Sequence, residues 1–297
     1  MPPALWLADG LARLAQRAPG SARIAPEIAF AEATARTVET TISTLVGPVP
    51  ATVYLPENPA ADNGVYLNLH GGGFVFRHPE QDDPICRFIA ARAGVTVVNI
   101  DYEPAPQSRF PGPVEQAYDA VRWAAAPGHA WDGGRVAIGG QSAGGALAAG
   151  AARLALERGG PAISLQVLMY PALDLSVSAG SKRAKDKEAF LARMGPVFDS
   201  VYCPDRDLRK DRLISPAAAS DTVCLTGIAP ALIVTAQRDI LRDEGARYAA
   251  RLSHAGALIE HIDLYGVGHG FTVRGASRAV VEPVYTRIAD LARDLLA

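Results

Sequence analysis

The chain reads as an α/β protein: a mostly parallel central sheet of about eight strands, with helices on both faces. Two observations carry that reading and a third refines it. From residue 65 onward, short runs dense in Val, Ile and Leu alternate with helical patterns of roughly 10 to 16 residues, the rhythm of strands buried on both faces and joined by crossover helices. Ahead of them, β-like runs at 36–46 and 50–55 flank Gly47-Pro48, a short turn that suits an antiparallel start to the sheet. Within the alternation, Arg135-Val-Ala-Ile-Gly-Gly-Gln-Ser142-Ala-Gly144 ends an apolar run in Gly-x-Ser-x-Gly and opens at once into an alanine-rich helical stretch. That is the strand–turn–helix context of a nucleophile elbow.

Residues 1–36 are rich in Ala and Arg at helical spacing, broken at Pro19-Gly20, and are expected as a surface helix pair. The apolar strands that follow are expected at 65–69, 95–100, 136–138, 165–169, 231–235 and 259–264, and the helices at 82–93, 113–126, 143–158, 243–255 and 275–296. One segment breaks the rhythm. Between Pro171 and Pro230 about 60 residues pass without a strand–helix unit, and a structureless loop of that length is uncommon in a compact domain. Charges crowd into 181–188 and 203–212. The segment is expected to contribute helices, although a solvated charged insertion fits the same composition.

The chemistry concentrates in three places. At the elbow, Gly140 and Gly144 carry no β-carbon to obstruct a tight turn around Ser142; the serine hydroxyl is inert until a neighbouring base takes its proton. A plain turn with a surface serine would show the same five residues, so the other two segments decide. Asn68-Leu-His70-Gly71-Gly72-Gly73-Phe74 follows a strand-like run, and its glycines let bare N–H groups face a ligand, as the oxyanion of acyl transfer requires. A phosphate loop would need a following Gly-Lys-Ser/Thr, which neither glycine cluster has. His70 heads this loop and is expected to hold it by hydrogen bonds. In the third segment Asp239 follows one strand and His269 lies between glycines after the next, completing the order Ser, Asp, His. Of the remaining histidines, His254 falls in a helix, His261 in a strand, and His78 and His129 in loops without a motif. Among the acids, Asp243 and Glu244 open a helix, where the dipole favours them, and Asp263 is distant; Asp239 stands where a carboxylate can reach an imidazole N–H. The Ala143 N–H, at the start of the elbow helix, is a further anion donor. Phe74, Tyr102 and Phe271 are candidate pocket walls, though aromatics near strand ends are as often core.

His-Gly-Gly-Gly-Phe, Gly-Gln-Ser-Ala-Gly-Gly, Asp-Ile-Leu-Arg-Asp-Glu-Gly and Gly-His-Gly-Phe, in this order, resemble the hormone-sensitive-lipase branch of the α/β-hydrolases, the bacterial family IV esterases and lipases. Asp101-Tyr102-Glu-Pro104-Ala-Pro-Gln107 is similar to the family's Asp-Tyr-Arg-Leu-Ala-Pro-Glu stretch. The resemblance implies an α/β-hydrolase catalytic domain over 37–297, with a helical cap made of 1–36 and an insertion at 174–216. It implies Ser142 as nucleophile, His269 as base, Asp239 as acid, and an oxyanion hole from the N–H groups of Gly72, Gly73 and Ala143, with neither cofactor nor metal. Gln141 stands where the family usually has Asp, and Glu103-Pro104 and Gln107 replace Arg-Leu and Glu. The expected reaction is hydrolysis of small carboxylic esters through an acyl-enzyme. The same triad serves an amidase or N-acyl hydrolase. A non-catalytic receptor on this scaffold is the third reading; such relatives lack the histidine that this chain retains.

Composition narrows the partners. The 297 residues are 49% hydrophobic and 20% charged with net charge −2, which gives no electrostatic footprint for nucleic acid or an anionic membrane. The apolar runs are strand-length, too short to span a bilayer, and the N-terminus lacks the basic region and apolar core of a signal peptide. Cys86, Cys203 and Cys224 are odd in number and widely spaced, indicating neither a disulfide framework nor a zinc site. A reduced cytoplasmic setting is expected, with a homodimer as the candidate assembly. Short- to medium-chain esters are the expected substrates, because no broad apolar surface helix stands out and the cap segments are rich in Arg, Lys and Asp.

Overall fold

The computed structural model describes residues 5–17, 24–60, 63–182 and 189–297. Its strands in chain order are β1 (Ala35–Ile42), β2 (Val49–Pro56), β3 (Val65–Leu69), β4 (Thr96–Ile100), β5 (Val136–Gln141), β6 (Ile163–Met169), β7 (Ala231–Ala236) and β8 (Leu258–Leu264). They form one 8-stranded sheet in the order β1-β2-β4-β3-β5-β6-β7-β8. The pairs β1–β2 and β2–β4 are antiparallel and every other pair is parallel. The Gly-Pro turn thus does what its chemistry suggests, and the six apolar runs form the parallel body.

The helices are α1 (Leu5–Ala15), α2 (Asp83–Ala93), α3 (Gly112–Ala124), α4 (Ala143–Arg158), α5 (Ala189–Tyr202), α6 (Arg242–His254) and α7 (Arg278–Leu296). Side chains alternate across a strand, so β3 sends Val65, Leu67 and Leu69 into a core shared with α3, α4 and α6. The same strand sends Tyr66 into a second core under α2 and α7. In α4 every residue from Ala143 to Ala155 is buried; small side chains let this helix lie close against the sheet directly behind the elbow.

The first 36 residues depart from a helix pair. One α-helix, α1, is followed after residues outside the described set by a short 3₁₀ turn at Pro26–Ile28. Ile28 and Phe30 are then buried in the α2–α7 core, where Phe30 packs edge-on against Phe88 at 5.0 Å. Only the α1 half of this segment lies on the side of α5, against which it packs. In the long irregular segment the charged run at 183–188 falls outside the described residues. The rest contributes α5 and 3₁₀ turns at Ala179–Ser181 and Leu208–Lys210.

One sequence expectation is overturned. α1 does present an apolar outward face, with Trp6 75% exposed and Leu7, Leu11 and Leu14 exposed beside it. The alternation of Leu with Ala hid this, because the small residues Ala8 and Ala12 form the buried side. Among the described residues no helix is long and apolar enough to cross a membrane.

Candidate active site

β5 ends at Gln141 and α4 begins at Ala143, which leaves Ser142 alone at the turn with φ 54° and ψ −113°. A Cβ on Gly144 would stand 1.9 Å from the Leu69 carbonyl oxygen, so the turn closes against β3 only with glycine there. The Ser142 N–H donates to the Met169 carbonyl at 2.9 Å, tying the elbow to β6.

The loops after β7 and β8 bring the other two groups to it. His269 Nε2 lies 2.8 Å from Ser142 Oγ, and His269 Nδ1 lies 2.7 Å from Asp239 Oδ2. Facing a carboxylate, Nδ1 carries the proton and leaves the Nε2 lone pair toward the hydroxyl. Asp239 is held in turn by the Leu241 N–H, which donates to Oδ1 at 2.9 Å. The competing acids and histidines stand elsewhere. Asp243 is largely exposed beside Arg242, Asp263 is bound by Thr235 and Arg242, and His261 Nε2 meets Thr235 Oγ1 at 2.9 Å.

The glycine loop turns under the same point. Gly72 and Gly73 have φ 134° and 61°, conformations open to glycine at little cost. The amides of Gly72, Gly73 and Ala143 donate to no backbone carbonyl among the described residues. A Cβ on Gly73 would meet the Phe198 ring at 2.6 Å. His70, fully buried, donates from Nδ1 to the Gly71 carbonyl at 2.7 Å and stacks on Tyr102 at 4.3 Å, whose hydroxyl donates to the His70 carbonyl. Behind it, Asp101 would be pushed up by burial, but His70 and Arg77 together hold it below the usual carboxylate range. The three aromatics expected as pocket walls are all buried against protein groups: Phe74 stacks on Tyr202 at 4.0 Å, Tyr102 on His70, and Phe271 edge-on to Tyr170. Their visible work is bracing the loops of the site.

Sequence reasoning missed Phe198 and Tyr202, and it named Gln107 and Glu244 without their contacts. Phe198 and Tyr202, one turn apart on α5, dock on Phe76 and Phe74 and so clasp the glycine loop; their i, i+4 spacing was the available signal. Gln107, one of the departures from the family pattern, donates to Gln16 Oε1 at 2.7 Å, and Gln16 donates to the Val75 and Ala105 carbonyls, linking the end of α1 to the loop beyond the glycines. Glu244 opens α6 as expected, yet it is buried and accepts from the Leu173 and Asp174 N–H groups and pairs with Lys182. Burial pushes its carboxyl up to about 7. Among the described residues no group of 3 or more His, Cys, Asp or Glu converges as a metal site requires.

Comparison with known proteins agrees with this geometry. The family model of the alpha/beta hydrolase fold matches residues 66–273. The chain belongs to the α/β-hydrolases. Esterase LipI of Mycobacterium tuberculosis is 35% identical over 242 residues, covering 80% of this chain and 75% of that protein. Ethyl acetate hydrolase of Pseudomonas putida is 35% identical over 234 residues, covering 77% and 73%. The solved hyperthermophilic esterase of Pyrobaculum calidifontis superposes with a TM-score of 0.79 at 30% identity over 99% of each chain. The hormone-sensitive-lipase resemblance is thereby borne out: this α/β-hydrolase is an enzyme of the esterase branch.

Proposed function

We propose that this hydrolase cleaves carboxylic esters of short to medium acyl length through an acyl-enzyme, with Ser142 as nucleophile, His269 as general base and Asp239 as the acid that fixes the imidazole tautomer. The observation that carries the reading is the continuous hydrogen-bonded line from Asp239 through His269 to Ser142 Oγ, with steps of 2.7 and 2.8 Å. As Oγ bonds to the carbonyl carbon, its proton passes to His269 Nε2, and the carbonyl oxygen, now an anion, takes the N–H groups of Gly72, Gly73 and Ala143. Collapse expels the alcohol, which leaves with the proton from His269. Water then repeats the sequence on the acyl-serine and releases the carboxylic acid. α1 and the segment 174–216, with α5 at its centre, act as the cap. Phe198, seated on Gly73, limits the room beside the reacting carbonyl, which favours modest acyl groups; the Pseudomonas putida relative, an ethyl acetate hydrolase, accords with that.

The test is turnover of a p-nitrophenyl ester series together with fluorophosphonate labelling. Rates should peak at short to medium chains and fall for palmitate, and the label should sit on Ser142. Ser142→Ala should retain less than about 1% of the wild-type rate. A matched anilide run beside the butanoate ester should be cleaved far more slowly; the reverse ratio would make the enzyme an amidase with the same triad.

A further inference from the structure

Gln141, the residue that departs from the family's usual Asp, is 2% exposed and sits one position before the nucleophile. Its Oε1 accepts the hydroxyl of Thr272 at 2.6 Å and also that of Tyr170. The two hydroxyls touch each other as well, so three buried oxygens share two protons and Gln141 supplies the one group that only accepts. Thr272 lies three residues beyond His269 in the same loop. Tyr170 follows β6 with φ 36° and sets its ring edge-on to His269 at 5.0 Å. From Tyr265 to Gly270 the His269 loop is partly or wholly exposed, and burial begins at Phe271. The node therefore grips the loop at its first buried turn and ties it to the elbow across a sequence separation of 131 residues.

We propose that Gln141, with Thr272 and Tyr170, is a positioning device that sets His269 against Ser142, Gln141 being the residue through which the elbow dictates where the imidazole stands. This rests on the reading of His269 as the base. An imidazole that drifts by an ångström from its partner can cost about 10²-fold in rate, whereas binding of the ester does not depend on that distance. Removing the acceptor leaves the two buried hydroxyls only each other, so one of their two protons has no acceptor unless the loop moves.

The test uses the full chain and measures kcat, KM, melting temperature and the low-field proton resonance of the His269–Asp239 hydrogen bond. Gln141→Met, of similar length but without an acceptor, should lower kcat about 10- to 100-fold with KM little changed, and should broaden the low-field proton. Gln141→Glu, which keeps a side-chain acceptor, should recover most of kcat. Thr272→Val should reproduce the Met variant, and the double variant should be no worse than the worse single one, because the two act as a unit. Thr272→Val also stands in should Gln141→Met fail to fold. Wild-type kcat in Gln141→Met or Thr272→Val, or a loss that tracks melting temperature while the low-field proton stays sharp, overturns the proposal. Failure of the underlying reading looks different: wild-type enzyme unlabelled at Ser142, or His269→Gln fully active.

Discussion

Ser142 carries a side chain at φ 54°, a region that costs a residue with a β-carbon roughly 1–2 kcal/mol. The strain persists because the Met169 carbonyl and the start of α4 hold both sides of the residue. Two substitutions separate chemistry from conformation. Ser142→Ala should abolish turnover and leave the melting temperature nearly unchanged, while Ser142→Gly should be equally dead yet more stable by about 1 kcal/mol, measured by thermal unfolding. A glycine variant no more stable than the alanine one would mean the turn is not strained. The acid can be tested in the same manner. Asp239→Asn should cost about 10⁴-fold in kcat, because an amide favours the wrong tautomer of His269, and Asp243→Asn should be silent, its carboxylate being 80% exposed. These residues were legible in the sequence because each sits in a turn whose glycines or strand boundary announce it. Gln141, Glu244 and Phe198 were not, because what defines them is the partner: Thr272, Lys182 and Gly73 respectively. Such partners are remote in sequence, and one-dimensional patterns do not carry them.

At the scale of elements, the sequence placed all eight strands and five of the helices to within a few residues: β3, β4, β5 and β7, buried on both faces, leave an unmistakable apolar run, while β1 and β2 were read from the turn between them. The segments proposed as the cap were legible only as an interruption. Their helices take their places from contacts: α5 by stacking aromatic rings on the glycine loop, α1 by packing on α5 and by Gln16 reaching the Val75 and Ala105 carbonyls. Phe198 is a brace, and under the proposed function also a wall. Phe198→Ala removes a ring that is 7% exposed and leaves a void beside Gly73. Two effects should follow: a drop in melting temperature, since truncating a buried Phe typically costs about 3–5 kcal/mol, and a shift of the p-nitrophenyl ester optimum toward longer acyl chains. An unchanged chain-length profile in a folded variant would show that the acyl group lies on another side of the serine.

Across the whole molecule, the buried carboxylates set how stability responds to pH, and none of this was visible in a sequence that shows only net charge. Burial pushes Asp82 and Glu244 each up to about 7, and Asp199 up to about 6. A carboxyl with its folded value raised prefers to stay protonated in the fold. Its contribution is fully present below about pH 4, where the unfolded chain is protonated too, and is lost as pH rises through about 7. Asp263 and Glu157, held down by Arg242 and by Arg212 with Arg153, act in the opposite sense and lose their contribution as pH falls below about 4. Stability should therefore peak in the mildly acidic range. Under the proposed mechanism hydrolysis instead needs the imidazole of His269 without its second proton, so its rate should rise with pH on the alkaline shoulder of the stability curve. Asp82 gives the cleanest test. It is fully buried on the far side of Asn68, whose Nδ2 donates to its Oδ2 at 2.9 Å, while Asp82 Oδ1 and Asn68 Oδ1 are both acceptors without a donor among the described residues. A proton on Asp82, or an amide in its place, replaces an acceptor that has no donor with a group that can donate. The variant Asp82→Asn should accordingly match wild type near pH 4 and exceed it by a growing margin up to pH 8, by a few kcal/mol at most, several degrees in Tm. Thermal unfolding from pH 4 to 8 decides it: a Tm that climbs steadily with pH in wild type, or an offset between the two proteins that is the same at every pH, would mean that Asp82 is ionised within the fold.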